Sequence, residues 1–172
     1  MWVDHVEGYA QILNRLYAEF GSASAVIDGW RDCAEAFAAI RQQTRPEVVL
    51  YDGLSFGLHD TLNWSARIDA YIAVVGSGLV LVNWLAGKPG VCHADLDHMV
   101  QLDWWSQVRP DAPPPLRPER EEINDLGGGA YANYKVDWRR LYDLLIKALA
   151  QGGVVPPSNA PQSKGKWKFG RA

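Results

Sequence analysis

The chain has 172 residues, 48% of them hydrophobic, and a formal net charge of −3. This composition excludes a wholly disordered chain, and the acidic balance argues against broad binding to nucleic acid. Two cysteines without a CxxC pair predict a reducing compartment and no disulfide framework. The N-terminus lacks the basic and apolar regions of a signal peptide, and every apolar run is too short to span a bilayer, so we expect a cytoplasmic protein.

The first half of the chain alternates between helical and strand patterns. Apolar residues at helical spacing predict a helix over residues 6–20, and an Ala-rich run predicts another over residues 32–42. Short apolar runs that end at Asp-Gly turns predict strands over residues 24–28 and 47–51. A third helix is expected within residues 57–66.

Residues 67–94 contain the strongest signal. An apolar run over residues 70–75 predicts a strand, a Gly-Ser-Gly turn follows, and residues 79–86 predict a helix that a Gly- and Pro-containing segment stops. Residues 91–94 predict the next strand. Strand, glycine turn, helix and strand make a βαβ unit, which builds parallel sheets through right-handed crossovers.

The pattern changes in the C-terminal half. An acidic and aromatic segment precedes a Pro-rich stretch at residues 111–118, and a Gly-rich turn lies within residues 124–130. Residues 136–150 then predict an amphipathic helix with Asp137 as its N-cap.

These elements predict an α/β domain over residues 1–152. We expect a three-layer sandwich with a mainly parallel, Rossmann-like sheet and a C-terminal helix, because strands alternate with helices along the chain. Residues 153–172 are polar, basic and rich in Pro, Ser and Gly, which predicts a disordered tail.

The glycine turn is the first candidate binding site. Gly76 and Gly78 let a ligand approach the backbone closely, and the N–H groups that open the next helix, together with the Ser77 hydroxyl, suit a phosphate or a sugar. The same pattern also suits a tight βα turn without a ligand. Leu81 stands where the dinucleotide fingerprint has its third glycine, and no P-loop is present.

Further polar candidates lie beside the predicted strands. Asp28 and Asp52 each close a strand, at the sheet edge where α/β proteins bind ligands, although Asp-Gly is also a common turn pair. His59 is a candidate base near that edge, and a surface or capping role is the simpler interpretation. Lys88 offsets a phosphate charge in one interpretation and is a turn residue in the other.

One cluster has the residue types of a metal site, namely His93, Asp95, Asp97 and His98. Alternate residues of an extended segment face one way, so three of these side chains are able to converge. The spacing typical of zinc sites is absent, and a solvated loop after a strand is the favoured interpretation. We therefore predict no metal and no other cofactor.

Eight tryptophans are many for this length. An indole N–H is costly to bury without a partner, so several tryptophans are expected to line a groove or an interface. Trp104, Trp105 and Leu116, in and beside the Pro-rich stretch, form the candidate surface of a binding module.

A longer set of residues around the glycine turn matches a known motif. The matching residues are Asp69-Ala70-Tyr71-Ile72, Gly76-Ser77-Gly78-Leu79, Asn83-Trp84 and Lys88-Pro89-Gly90. With them the chain resembles the C-terminal, donor-binding half of GT-B fold glycosyltransferases, of the bacterial polysaccharide type and of the group with an H-G-[AS]-G-L-x-N motif. The likeness covers residues 24–94, and Val75 stands where that family often has His.

The resemblance implies a protein that binds a sugar nucleotide and transfers its sugar to a glycan acceptor in polysaccharide biosynthesis. The implied donor-binding residues are Gly76, Ser77, Gly78, Leu79, Asp52, His59 and Lys88. No catalytic base is assigned, because such enzymes close two domains around their substrates and this length supplies one. A second domain or chain is then expected to provide the acceptor site. The alternatives are a non-catalytic α/β binding or interaction module and a small metal-dependent hydrolase.

Overall fold

The computed structural model describes residues 1–127 and 131–157. Its strands are β1 (Ser24–Ile27), β2 (Val49–Asp52), β3 (Tyr71–Val74), β4 (Gly90–His93), β5 (Ile123–Asp125) and β6 (Tyr134–Val136). Its α-helices are α1 (His5–Phe20), α2 (Ala34–Gln43), α3 (Leu58–Ser65), α4 (Ser77–Leu79), α5 (Leu96–Met99), α6 (Leu102–Val108) and α7 (Trp138–Gln151). Two short 3₁₀ turns, Arg31–Cys33 and Arg120–Glu122, and a π-helix, Val80–Leu85, complete the described elements.

The structure is mixed α/β, and its first four strands form two parallel pairs. β1 pairs with β2, with Ser24 opposite Val49, and β3 pairs with β4, with Tyr71 opposite Gly90. Each pair is joined by a connection that contains a helix, as parallel pairing requires. The four predicted strands and the βαβ order of residues 67–94 are therefore confirmed.

The two parallel pairs do not join into one hydrogen-bonded sheet within the described residues. β1 and β3 each pair on one edge only, so their other edges are left without a ladder. The three-layer sandwich expected from the sequence requires these edges to meet, and the described sheets remain two-stranded.

The unpaired edges of β1 and β3 define a seam, and one hydrophobic cluster lies on each side of it. The smaller contains Leu13, Phe37, Ile40, Val48, Leu50 and Leu54, from α1, α2, β2 and the segments that adjoin them. The larger joins the N-terminus, β3, β4, β6 and α7. The predicted helix at residues 136–150 is α7, whose Leu141 is fully buried and whose N-cap Asp137 accepts the N–H of Arg139 at 2.9 Å.

An antiparallel pair and the N-terminal residues close the larger cluster. β5 pairs with β6, and Trp2 forms a parallel bridge to Tyr134 of β6. The Trp2 ring lies so close to Gly8 of α1 that a Cβ at Gly8 would overlap it. A glycine in the interior of α1, which lowers helix propensity, is therefore required by packing.

Several details differ from the sequence-based expectations. The helix expected over residues 79–86 begins at Ser77 and continues as a π-helix, in which Ala86 donates to the carbonyl of Leu81. The acidic and aromatic segment forms α5 and α6, which were not predicted. Part of the expected Gly-rich turn, residues 128–130, and most of the expected tail, residues 158–172, lie outside the described residues.

Among the helices of the described residues, none combines the length and the hydropathy that crossing a membrane requires.

Candidate functional site

An open cleft of about 1790 Å³ lies along the seam between β1 and β3. Residues 24–27 of β1 and 71–74 of β3 form its walls, and the loops that follow these strands form one end. The cleft thus reaches the carboxyl ends of parallel strands, the edge at which open α/β sheets bind ligands.

The glycine turn lies at this edge and lines the cleft. Gly76 has φ 158° and ψ −163°, a region that essentially only glycine adopts. Its carbonyl accepts the N–H of Leu79 at 3.1 Å, which closes the turn, and Leu79 is fully buried. Ser77 and Gly78 are exposed on the cleft wall.

The turn opens a helical run, in which α4 leads directly into the π-helix. The first N–H groups of a helix have no acceptor within the helix, so those of Ser77 and Gly78 are directed toward the space before α4. The helix dipole adds partial positive charge there. An anion or a hydroxyl-rich group in the cleft is able to accept hydrogen bonds from both residues.

Asn83, which belongs to the matched motif, has a structural role. Its side chain is buried, its Oδ1 accepts the indole N–H of Trp105 at 2.8 Å, and its Nδ2 donates to the carbonyl of Pro113 at 2.8 Å. The π-helix is thereby tied to α6 and to the Pro-rich segment. These bonds hold the helical run that carries the glycine turn.

Asp52 and His59 lie near the carboxyl edge, but their side chains are outside the lining of the cleft. Asp52 Oδ1 accepts the N–H of Leu54 at 2.9 Å, a turn bond that fits the plain interpretation of an Asp-Gly pair. The His59 side chain is 88% exposed and contacts Asp60 at 3.7 Å. Their neighbours Leu54 and Leu58 line the cleft instead.

Lys88 and the glycine turn lie at opposite ends of the β3–β4 pair. It precedes β4, whose first residue Gly90 is opposite Tyr71, the first residue of β3, whereas Gly76 follows the last residue of β3. The length of β3 therefore separates Lys88 from the turn. The structure therefore does not bring Lys88 close to the glycine turn.

Three residues of the candidate metal cluster, His93, Asp95 and His98, have protein partners. His93 is fully buried, and its Nδ1 lies 2.8 Å from the hydroxyl of Tyr134. Burial lowers the pKa of His93 to about 3, so its ring is neutral at pH 7. Asp95 caps α5 and accepts both the backbone N–H and the ring Nδ1 of His98.

Within residues 1–127 and 131–157, no group of three or more His, Cys, Asp or Glu side chains is arranged to hold a metal ion. His93 faces the core between Tyr9 and Tyr134, whereas Asp95 and His98 face each other across the start of α5. The hydrolase alternative therefore lacks its ligand set in the described part of the chain.

The Trp- and Pro-rich segment is also largely structural. Trp105 is 3% exposed and stacks on Trp84 with ring centroids 4.2 Å apart. Leu116 accepts the N–H of Cys92 at 2.9 Å and so extends the edge of β4. Of the three residues expected to form a binding surface, Trp104 alone has a large exposed fraction, 44%.

The cleft contains aromatic residues that the sequence analysis did not assign to it. Trp30, Tyr51, Phe56 and Trp64 line its end near the carboxyl edge. The high tryptophan content predicted that some tryptophans would line a groove, but the periodicity of the sequence gave no means of telling which.

Comparison of the chain with protein-family models, with curated proteins and with solved structures finds no match.

Proposed function

We propose that this chain is a donor-binding domain of a glycosyltransferase, which holds a sugar nucleotide in the cleft with its diphosphate at the glycine turn. The observation that carries the proposal is the Gly-restricted conformation of Gly76 at the carboxyl edge of β3, with Ser77 and Gly78 exposed on the cleft wall. The matched motif around this turn supports the same function.

The glycine turn would contribute to catalysis by electrostatic stabilisation. Transfer of a sugar from a nucleotide releases a diphosphate, and fixed backbone donors stabilise the charge that develops on it. The N–H groups of Ser77 and Gly78 and the Ser77 hydroxyl are the donors of this chain. Lys88 has no part in the proposal, because it lies at the other edge of the sheet.

In a donor-binding domain the β2–β1 and β3–β4 pairs belong to one Rossmann-like sheet, with helices on both faces. The parallel direction shared within each pair and the helix-containing connection that joins its two strands support this arrangement. A ladder between β1 and β3 would leave the carboxyl end of the cleft, where the glycine turn lies, as the ligand site. A second domain or chain then supplies the glycan acceptor and the catalytic base.

The experiment is a thermal-shift screen against nucleoside diphosphates and sugar nucleotides. A ligand that binds only the folded state at about 100 times its Kd stabilises it by about 2.7 kcal/mol. For a chain of this size, each kcal/mol raises Tm by about 2–4 °C. Absence of any shift at millimolar ligand would contradict the proposal.

Two substitutions at Gly78 make the screen specific. A Cβ at Gly78 meets no atom within 4 Å, so both Gly78→Glu and Gly78→Gln leave the fold intact. The glutamate places a negative charge beside the diphosphate and is expected to abolish the shift. The glutamine has nearly the same shape without the charge and is expected to weaken the shift less. Equal effects of the two variants would show that no anion binds there.

A further inference from the structure

An exposed tryptophan at the rim of the cleft is not used by the proposed function. Trp30 follows β1, lines the cleft and is 82% exposed. Its carbonyl accepts the N–H of Cys33 at 2.9 Å, within the 3₁₀ turn, and the adjacent Gly29 lies so near Leu54 of the smaller cluster that an added Cβ would touch it. The indole is therefore presented on a fixed backbone, and its large apolar surface lies in solvent.

Other aromatic rings line the same cleft. Tyr51 and Phe56 pack against Trp64, with ring centroids 4.8 Å and 6.4 Å apart. These three residues come from β2, from the loop after it and from α3. They give this end of the cleft several flat apolar surfaces in addition to Trp30.

The charges beside Trp30 indicate the chemistry of a ligand. Asp28, Arg31 and Asp32 line the cleft on either side of the indole in sequence. Two carboxylates and one guanidinium give this rim a net negative charge, which disfavours a phosphate. Carboxylates accept hydrogen bonds from hydroxyl groups, and Asp28 uses Oδ1 for the N–H of Gly29 while retaining acceptor capacity.

We propose that Trp30, with Asp28 and Asp32, binds a pyranose ring of a glycan. The apolar C–H face of the sugar stacks on the indole, and its hydroxyl groups donate to the two carboxylates. In the proposed enzyme this is an acceptor subsite on the donor-binding domain. The subsite consists of Trp30, Asp28 and Asp32 and includes no residue of the glycine turn. Glycan binding can therefore be tested separately from nucleotide binding.

The test is a titration of the full chain with maltotetraose, cellotetraose and chitotetraose. Binding is measured by tryptophan fluorescence and by calorimetry. At least one of these glycans is expected to bind the wild type. Trp30→Ala is expected to weaken that binding by about tenfold or more, the effect of losing one stacked ring. Trp104→Ala removes an exposed indole outside the cleft lining and is expected to leave binding unchanged.

A parallel titration with uridine diphosphate separates the two sites. Trp30→Ala is expected to retain the nucleotide affinity of the wild type. The proposal is overturned if none of the glycans binds at millimolar concentration, or if Trp30→Ala binds them as the wild type does. It is also overturned if Trp30→Ala loses only the nucleotide, because the indole then stacks on the base. Circular dichroism of each variant establishes that the fold is retained.

Discussion

The indole N–H of Trp105 donates a 2.8 Å hydrogen bond to Oδ1 of Asn83, and both side chains are buried. This bond joins α6 to the π-helix that follows the glycine turn. The amide of Asn83 also binds the carbonyl of Pro113. One side chain thus ties the π-helix to residues 22 and 30 positions further along the chain, and so supports the helical run behind the candidate site.

Asn83→Ala is expected to destabilise the fold by about 2–4 kcal/mol, because the buried Trp105 N–H and the Pro113 carbonyl lose their partner. Urea unfolding measures the loss. Asn63→Ala, on the exposed side of α3, is the matched control and is expected to change stability by less than about 0.5 kcal/mol. A similar effect of the two substitutions would show that the Asn83 bonds contribute little.

The two glycines of the turn are expected to respond in opposite ways to the same substitution. Gly76→Ala forces a side chain into a backbone conformation at φ 158° and is expected to cost about 1–3 kcal/mol. Gly78 lies in α4 with open space around it, so Gly78→Ala is expected to be neutral or to stabilise the helix by up to about 1 kcal/mol. Paired thermal melts compare them, and equal costs would contradict the turn geometry.

The buried His93 makes stability depend on pH. Burial lowers its pKa from 6.5 to about 3. Between these two pH values the unfolded chain therefore binds a proton at His93 and the folded chain does not. The stability that this ring contributes is complete above pH 6.5 and is lost as the pH falls toward 3. The unfolding free energy is expected to fall by about 1.4 kcal/mol per pH unit in the middle of this range.

The His93→Asn variant tests the source of that slope. An asparagine amide is able to keep a hydrogen bond to the Tyr134 hydroxyl, and it does not titrate. The groups that face the ring are Tyr9, whose pKa burial raises to about 12, and Tyr134, whose pKa is also raised by burial, so both stay protonated. The variant is expected to be less stable at neutral pH and to lose the His93 part of the slope. An unchanged slope would assign it to other groups.

Two aspartates are expected to shift stability in opposite directions. Partial desolvation in the cleft wall raises the pKa of Asp28, so folding disfavours its charged form and stability is lost as the pH rises through its folded pKa. The bond to Arg109 lowers the pKa of Asp111, so stability is lost as the pH falls through its folded pKa. Asp28→Asn should therefore raise Tm at pH 7, and Asp111→Asn should lower it slightly.

Both differences are expected to shrink at acid pH. That of Asp28→Asn vanishes below the ordinary aspartate pKa of about 3.9, and that of Asp111→Asn vanishes only below its lowered folded pKa. Melts over a pH series check the pair. A decrease in Tm for Asp28→Asn at pH 7 would show that the carboxylate is stabilised, not desolvated, in the cleft wall.

The sequence predicted the parallel pairs because their determinants are local. Short apolar runs bounded by Gly and Asp-Gly specify strands, and the alternation with helical segments specifies the parallel direction. β5 and β6 were not predicted, because three-residue strands in a polar segment depend on a distant partner. For β6 that partner is Trp2, whose neighbours Met1 and Val3 exchange backbone hydrogen bonds with Tyr134.

The glycine turn of the candidate site was predictable from the sequence, whereas the residues that form the walls of the cleft were not. The position of Gly76 followed from the strand that precedes it, and the opposite position of Lys88 was implicit in the same βαβ order. The exposure of Trp30 and the packing of Asn83 depend on tertiary contacts, which no periodicity in the sequence reveals.

The central claim is that backbone N–H groups at the glycine turn bind a diphosphate, and amide chemical shifts measure this most directly. Uniformly labelled protein is titrated with uridine diphosphate while the amide resonances of Ser77 and Gly78 are followed. The account predicts saturable shifts of these two resonances, with the amide of Gly87 at the opposite sheet edge unmoved. Binding without movement of Ser77 and Gly78, or no binding at millimolar nucleotide, would contradict it.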